Sequence, residues 1–422
     1  MKPAIPELDV PRFSLAERER RWGRVRRLME RDGIDVIVAP SNTGGRDGLQ
    51  ANVRYLTGMG VNSCPVAAIF PGEGEVTALT GPVPYTEYWL GFQDWVTDVR
   101  SKFFSEGDAI IERLRELPIE RGRIGIAGLA AVPRMPDGIV SHGIYMKIRE
   151  AFPHAELVNA THLMDEARFV KSEEEIAFLE RSVELVEGAI ETMIHEARPG
   201  VPECVVYARM LASMVEQGGE LPTMILWAAG TPQPLTNAFM PTRRRLQQGD
   251  IITSEVEAHW GGYVGQVTFT GAIGKVPSEY AEMYTIQQEI IDRAYERFRP
   301  GTLISEFLNI GEEATRGTPY ESRMIMHSRG LGNDAPIAVF GTRDERIRTW
   351  RIEENAVFVI KPVVMTREWI SSVSWGGSVI GDSQNAAGES GAKTVCWGDS
   401  VVATPSGARR LGKRPRNFIE IG

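Results

Sequence analysis

Apolar residues return every three to four positions along several stretches of this chain and cluster or alternate in others, and that pattern alone divides it into helices and strands. Ser14 and Glu17 stand at capping-box spacing, and the helix they open runs to about Arg31, with Asp32-Gly33 as its stop. Residues 34–39, 66–70, 75–79 and 123–127 read as short strands, and 144–151 as a helix. This order predicts an α/β domain over residues 1–165. The stretch 165–170 reads as the boundary, followed by Ser172 and Glu175 at capping-box spacing again. Ile176, Leu179, Val183, Val186 and Ile190 then hold a helical period through about Ala197, where Pro199-Gly200 ends it. Pro202 opens a second helix that reaches Gln217 before Gly218-Gly219. Residues 279–298 and 304–314 read as amphipathic helices, and 251–257, 263–272, 324–326 and 357–364 as strands, so residues 166–422 form an α+β domain.

Composition narrows the class. With 422 residues, 42% hydrophobic and 24% charged, the chain suits two globular domains rather than a disordered polymer. A net charge of -9 speaks against nucleic acid or an anionic membrane as the main partner, and the run Arg243-Arg244-Arg245 reads as a solvated turn. The three cysteines, Cys64, Cys204 and Cys396, are odd in number and widely spaced, which indicates neither a disulfide framework nor a zinc knuckle. Residues 1–10 lack the apolar core of a signal peptide, and no apolar run approaches the roughly 18 residues of a membrane span. A cytoplasmic protein with reduced thiols is expected.

Candidate chemistry concentrates in the second domain. His327 opens His327-Ser328-Arg329-Gly330-Leu331-Gly332, whose glycines suit a tight turn, and an imidazole exchanges protons near neutrality. Glu255 and Glu257 share a strand face by the period of two, either as a carboxylate pair dividing acid and base roles or with Glu257 in a structural ion pair. Lys361 lies on an apolar strand, where an unpaired ammonium would be costly, so it needs a partner: Glu255 or a substrate carboxylate. Arg329 reads either as a clamp for an anionic substrate or as an exposed turn residue. His259 reads as a solvated residue before Gly261-Gly262. Trp375-Gly376-Gly377, within the Gly, Ser and Asn-rich stretch 371–391, reads as a lid over a substrate or as a linker.

Gly249-Asp250, Gly262-Tyr263, the His-x-x-Gly-Leu turn at His327 and the apolar strand ending at Lys361-Pro362 stand in an order that resembles the pita-bread metallopeptidase and creatinase family, over roughly residues 15–410. The resemblance implies a pita-bread C-terminal domain behind a creatinase-like N-terminal α/β domain, and a homodimer. At the family's five metal-ligand positions, normally Asp, Asp, His, Glu and Glu, this chain places Glu255, Gln266, His327, Lys361 and Gly398. Gln266 and Lys361 are poor ligands for Zn, Mn or Co, so the expected site has no metal and no cofactor, with an ammonium in place of a cation. Asp334 stands where the family's peptidases carry a second histidine, and Asn237 lies where an upstream histidine is missing, which counts against proline-specific peptide cleavage and against creatine.

By analogy with metal-free creatinase and with ectoine hydrolases, the sequence implies hydrolysis of a non-peptide C–N bond in a small amide, amidine or guanidino compound. The catalytic set is His327, Glu255, Lys361 and Glu257, and Gln266, Arg329, Asp334, Asn237 and Trp375 face the substrate. The alternatives are a lyase, a binding module on a silent peptidase scaffold and, least suited, a metal-dependent Xaa-Pro peptidase.

Overall fold

The computed structural model describes residues 12–41, 50–61, 64–102, 105–130, 137–231, 233–234, 241–339, 342, 344–366, 373–375, 378–380 and 393–422. The chain separates into two compact units, one running to Glu174 and including Leu331–Ala335, the other comprising Glu175–Gly330 and Pro336–Gly422. In the first, the elements are α1 (Leu15–Asp32), β1 (Val36–Ala39), α2 (Ala51–Thr57), β2 (Ala67–Pro71), β3 (Thr77–Thr80), α3 (Val83–Phe92), β4 (Asp98–Ser101), α4 (Glu106–Arg115), β5 (Arg123–Ile126), α5 (His142–Ala151), β6 (Glu156–Asn159) and α6 (Thr161–Phe169). Among the described residues the strands form one mixed sheet in the order β4-β3-β2-β1-β5-β6. Val36, Val38, Ile69, Ile124 and Ile126 of that sheet pack with Ile110, Leu114 and Ile148 from α4 and α5 into a buried core.

The start of α1 keeps half of its predicted cap. Ser14 Oγ accepts the Glu17 amide at 3.1 Å and Gly33 closes the helix at φ 64°, a left-handed conformation that glycine adopts without strain. Glu17 does not reach back to Ser14. Its carboxylate pairs instead with Arg20 at 2.7 Å and Arg21 at 2.6 Å, and the Ser14 amide donates to Glu174 at 2.9 Å.

The second unit carries α7 (Glu173–Glu196, from its third residue), α8 (Glu203–Glu216), β7 (Ile225–Gly230), β8 (Ile251–Trp260), β9 (Tyr263–Ile273), α9 (Ser278–Arg297), α10 (Ile310–Thr315), β10 (Tyr320–Arg323), β11 (Ile325–Arg329), β12 (Asn333–Val339, from its fourth residue), α11 (Glu345–Arg348), β13 (Val357–Ile360), β14 (Val363–Thr366), β15 (Val373–Trp375), β16 (Ser378–Ile380), β17 (Thr394–Thr404), β18 (Gly407–Arg410) and β19 (Ile419–Ile421). The main sheet path is β12-β11-β13-β17-β9-β8-β7. One face of β8 and β9, with Ile252, Val256, Val267 and Phe269, packs on Leu185, Val186 and Ile190 of α7, Val206 and Met210 of α8 and Ile291 of α9. At Gly265 the helix comes so close that a Cβ would lie 2.5 Å from the Val183 nitrogen, and Ser182 Oγ accepts the Gly265 amide at 2.7 Å while donating to Ala258 O at 2.6 Å. This is the pita-bread architecture behind a creatinase-like α/β domain.

Several predicted elements differ in detail. The stretch 304–314 is not one helix: amides of Glu306, Phe307 and Ile310 bond three residues back, which winds a 3-10 turn at Ile304–Glu306 before α10 begins. The predicted strand 357–364 divides into β13 and β14, because Pro362 has no amide to give the ladder. The stretch 165–170 belongs largely to α6, whose Arg168 and Asp165 form an internal ion pair at 2.9 Å.

Burial, helped by the Asp334 charge and opposed by Arg168, lifts the Asp165 carboxyl to about 6. The native carboxyl therefore keeps its proton above the ordinary 3.8, the native state binds more protons across that window, and stability falls as pH rises through it. Asp165→Asn is expected to gain on the parent protein in melting temperature as pH rises from about 4 to about 7. A calorimetric difference that stays constant over this range would contradict the assignment.

Candidate active site on the polar face of the second sheet

Strand residues alternate faces, so the register defines what faces away from the helices. On that face Glu255 of β8 opposes Thr268 of β9, Thr268 opposes Gly398 of β17, and the ladder continues through the Lys361 amide, which donates to Ile325 O at 2.9 Å. One pleat repeat along, Glu257 opposes Gln266, and His327 opposes Val359, which opposes Ser400. A face with this many polar groups would normally meet water, yet Glu255, Glu257, Gln266, Thr268, His327, Arg329, Lys361 and Ser400 are all buried. Buried polar groups on this scale need partners.

A connected chain of hydrogen bonds supplies them. Lys361 Nζ donates to Glu255 Oε1 at 2.7 Å, and Gln266 Nε2 donates to the same oxygen. Gln266 Oε1 accepts from Arg329 Nε at 3.0 Å, and Arg329 is ion-paired with Glu257. Thr223 Oγ1 donates to the far Glu257 oxygen at 3.1 Å and lies 3.4 Å from His259 Nε2. Two cations thus face two anions, with a neutral amide between them. The Glu255 and Lys361 side chains retain 12% and 4% exposure, whereas Arg329 and Glu257 retain none, so the first pair is the end open to a ligand.

Three strand spacings, about 14 Å, separate the Glu255 and Lys361 backbones along the sheet. The side chains meet because nothing projects between them at Gly398: a Cβ there would lie 2.2 Å from Lys361 Cβ. Pro362 breaks the strand beside Lys361, and the buried Gln287 amide of α9 donates to Pro362 O at 2.5 Å, fixing the break. His327 is fully buried, with Nδ1 3.2 Å from Ser328 O. A carbonyl only accepts, so this contact places the proton of the neutral ring on Nδ1 and makes Nε2 its basic nitrogen.

Cys396 stands on the same face, two residues before Gly398. Burial pushes its thiol up to about 12, against the pull of the Lys361 ammonium, which leaves it protonated and unsuited to nucleophilic attack.

The sheet brings together Glu255, Glu257, Gln266, Arg329, Lys361 and His327. Arg329 is not an exposed turn residue: β11 runs through it, and the turn starts at Gly330, whose carbonyl accepts the Val264 amide at 2.9 Å. His259 is likewise not solvated, because β8 continues to Trp260 and the turn is confined to Gly261 and Gly262 at φ 57° and 81°. Asp334 belongs to the first unit, where Arg168 at 3.2 Å and Lys171 at 3.6 Å engage its carboxylate. Asn237 lies outside the described residues, as does most of 371–391, and Trp375 ends the short strand β15.

Thr223, Thr268, Ser400 and Gln287 escaped the sequence reading. Thr268 and Ser400 follow Gln266 and Gly398 by the strand period of two, and Gln287 interrupts the buried helical series Met283, Ile290, Ile291 and Ala294, so each left a trace in the pattern. Thr223 precedes its strand and left none.

The pattern of metallopeptidase family M24 matches residues 177–404, and that of the creatinase/prolidase N-terminal domain matches residues 21–170. A Xaa-Pro dipeptidase of Pyrococcus horikoshii is 22% identical over 93% of this chain and 96% of its own length. A creatinase of a Bacillus species is 23% identical over 96% of this chain and 92% of its own. Among solved structures, the Xaa-Pro dipeptidase from Bacillus anthracis superposes with a TM-score of 0.72 at 18% identity, over 96% of this chain and 99% of that one. The X-Pro aminopeptidase from Thermotoga maritima gives 0.71 at 19% identity, over 94% and 100%.

The family's name implies divalent metal ions, and the donors present do not fit them. The Lys361 ammonium and the Gln266 amide hydrogens occupy the Glu255 oxygen, Arg329 occupies Glu257, and among the described residues no group of three or more His, Cys, Asp or Glu could hold a metal.

Gly398→Ala is expected to push Lys361 away from Glu255 and to cost about 1–3 kcal/mol in urea unfolding, as overpacking does. Gly143→Ala, in α5 with nothing within 4 Å of the added carbon, serves as the control and should not destabilise. Equal midpoints for Gly398→Ala and the parent would contradict the close approach.

Proposed function

Because the chain belongs to metallopeptidase family M24, a family of hydrolases, we propose that it is a metal-independent hydrolase of a non-peptide C–N bond in a small polar molecule: an amide, an amidine or a guanidino compound. The observation that carries this reading is the Lys361 ammonium 2.7 Å from Glu255, at the more exposed end of a charge-balanced network. A fixed cation beside a carboxylate supplies, without a Lewis acid, the charge that must neutralise a developing oxyanion or its nitrogen counterpart. Relatives named as Xaa-Pro dipeptidases and as a creatinase bracket the choice of substrate. The engagement of Asp334 by Arg168 and Lys171 argues against the peptidase side, since that position is where the peptidases were expected to hold a second histidine.

In the proposed course, water attacks the carbon of the C–N bond and its proton passes to His327 Nε2, the basic nitrogen of the tautomer set by Ser328 O. The displaced π electrons settle on the substrate heteroatom near Lys361. They then return to the carbon, the C–N bond breaks, and the imidazolium gives its proton to the leaving nitrogen. Glu255, ionised by its two donors, holds the ammonium in place and orients the water. Its attack on the carbon itself, through a covalent ester or anhydride, is the variant course.

The test is a panel of amides, amidines and guanidino acids assayed in ¹⁸O-water, with the parent protein, His327→Asn and Glu255→Gln. Product carrying one labelled oxygen is expected, with turnover lower by about 10²–10⁴ in each variant and unchanged after chelation. Unlabelled product would establish a lyase. Parent-like turnover in both variants, or activity lost to a chelator and restored by manganese, would overturn the reading.

A further inference from the structure

We infer that Arg329 is the positioning residue of this site, and that it acts by fixing which end of the Gln266 amide meets Glu255. The inference deepens the reading proposed above, since it concerns the carboxylate on which that reading rests. An amide side chain has one accepting end and one donating end, and the two are nearly the same shape. A guanidinium only donates. Arg329 reaches Gln266 Oε1 through Nε at 3.0 Å and through Nη2 as well, so the oxygen must face Arg329 and the NH₂ must face away from it. What lies in that direction is Glu255, which when ionised only accepts.

The Gln266 backbone has no freedom to undo this choice. Its amide donates to Ser400 Oγ at 3.1 Å, and the same hydroxyl donates back to the Gln266 carbonyl at 3.0 Å. Arg329 is fixed in turn by its ion pair with Glu257, whose second oxygen accepts from Thr223 at 3.1 Å. Held by Gln266 Oε1 on one side and Glu257 on the other, Arg329 is placed to orient the site and not to grip a substrate, and Gln266 is likewise engaged at both ends, by Arg329 and by Glu255. Glu257 and Thr223 support the arrangement from behind. Glu255 therefore receives two donors on one oxygen, Lys361 and Gln266, and remains a fixed anion, which leaves proton transfer to His327.

The test reads the Gln266 side chain directly and needs no substrate. Protein selectively labelled with ¹⁵N at the glutamine side-chain amides gives one NH₂ pair per glutamine, and the pair absent from Gln266→Glu identifies position 266. In the parent, one proton of this pair should lie far downfield. Arg329→Met combined with Glu257→Met removes both charges together and leaves net charge unchanged. This double variant is expected to return the pair to ordinary shifts. Arg329→Lys, which keeps a donor to Oε1, should retain most of the downfield shift.

A folded double variant with the parent's shifts would overturn the inference. Should the double variant not fold, neutron diffraction from the deuterated parent protein decides: deuterons on Gln266 Nε2 facing Glu255 support the assignment, and Oε1 facing Glu255 rejects it. Neither readout uses turnover. A parent protein that hydrolyses nothing yet shows the shifted amide would reject the hydrolase and leave the positioning role intact.

Discussion

A charge buried in a sheet must be answered by another within reach, and on this polar face the answer begins with Lys361 and Glu255. Taking either ion out of water costs several kcal/mol after relaxation, and removing one partner of such a pair costs roughly 3–5 kcal/mol because the other is stranded. The same requirement repeats one pleat along, where Arg329 faces Glu257. Gln266 joins the two pairs without adding charge, which is what its position between two opposite demands requires: an acceptor toward Arg329 and a donor toward Glu255. The network is therefore one object. Altering any member leaves a neighbour with the wrong partner.

The scaffold explains why such an object can exist. Helices α7, α8 and α9 cover one face of β8 and β9 with an ordinary apolar core, and that packing holds the strands whatever the other face carries. Close contact at Gly265, with Ser182 tying the hairpin to α7, fixes the register that sets Glu255 across from Thr268 and Glu257 across from Gln266. The apolar core and the polar network thus lie on opposite sides of the same strands. A fold of this kind can exchange one chemistry for another while keeping its outline, and for this reason similarity to a dipeptidase at 18% identity and to an aminopeptidase at 19% speaks for architecture and not for substrate.

Much of this was legible in the sequence where a local rule was strong. The helical period from Ile176 to Ile190, the glycine stop at Gly33 and the alternation in β8 and β9 each correspond to an observed element. The need of Lys361 for a partner followed from its apolar surroundings alone. What the pattern concealed was long-range: α6 in the supposed boundary, where buried Arg168 and Asp165 mimic a polar linker, and the burial of Arg329 and His259, which in one dimension look like turn residues beside glycines. Polar residues signal solvent in a sequence unless their partners are known, and here the partners lie 63 and 72 positions away for Arg329 and 106 for Lys361. Only the folded sheet brings them together.

Gly398 carries a historical consequence. A side chain at that position and the present backbone placement of Lys361 exclude one another, since even a methyl carbon would stand 2.2 Å from Lys361 Cβ. The clash is with the Cβ and Cα that any residue but glycine brings to 361, so the two glutamates that the resemblance implies at 361 and 398 require strands set farther apart at this point than they are in this chain. Rebuilding a ligand at 398 therefore asks for a backbone shift as well as a mutation, whatever non-glycine residue stands at 361. The loss of one carbon atom is thus recorded in the main chain itself, in how closely two strands approach.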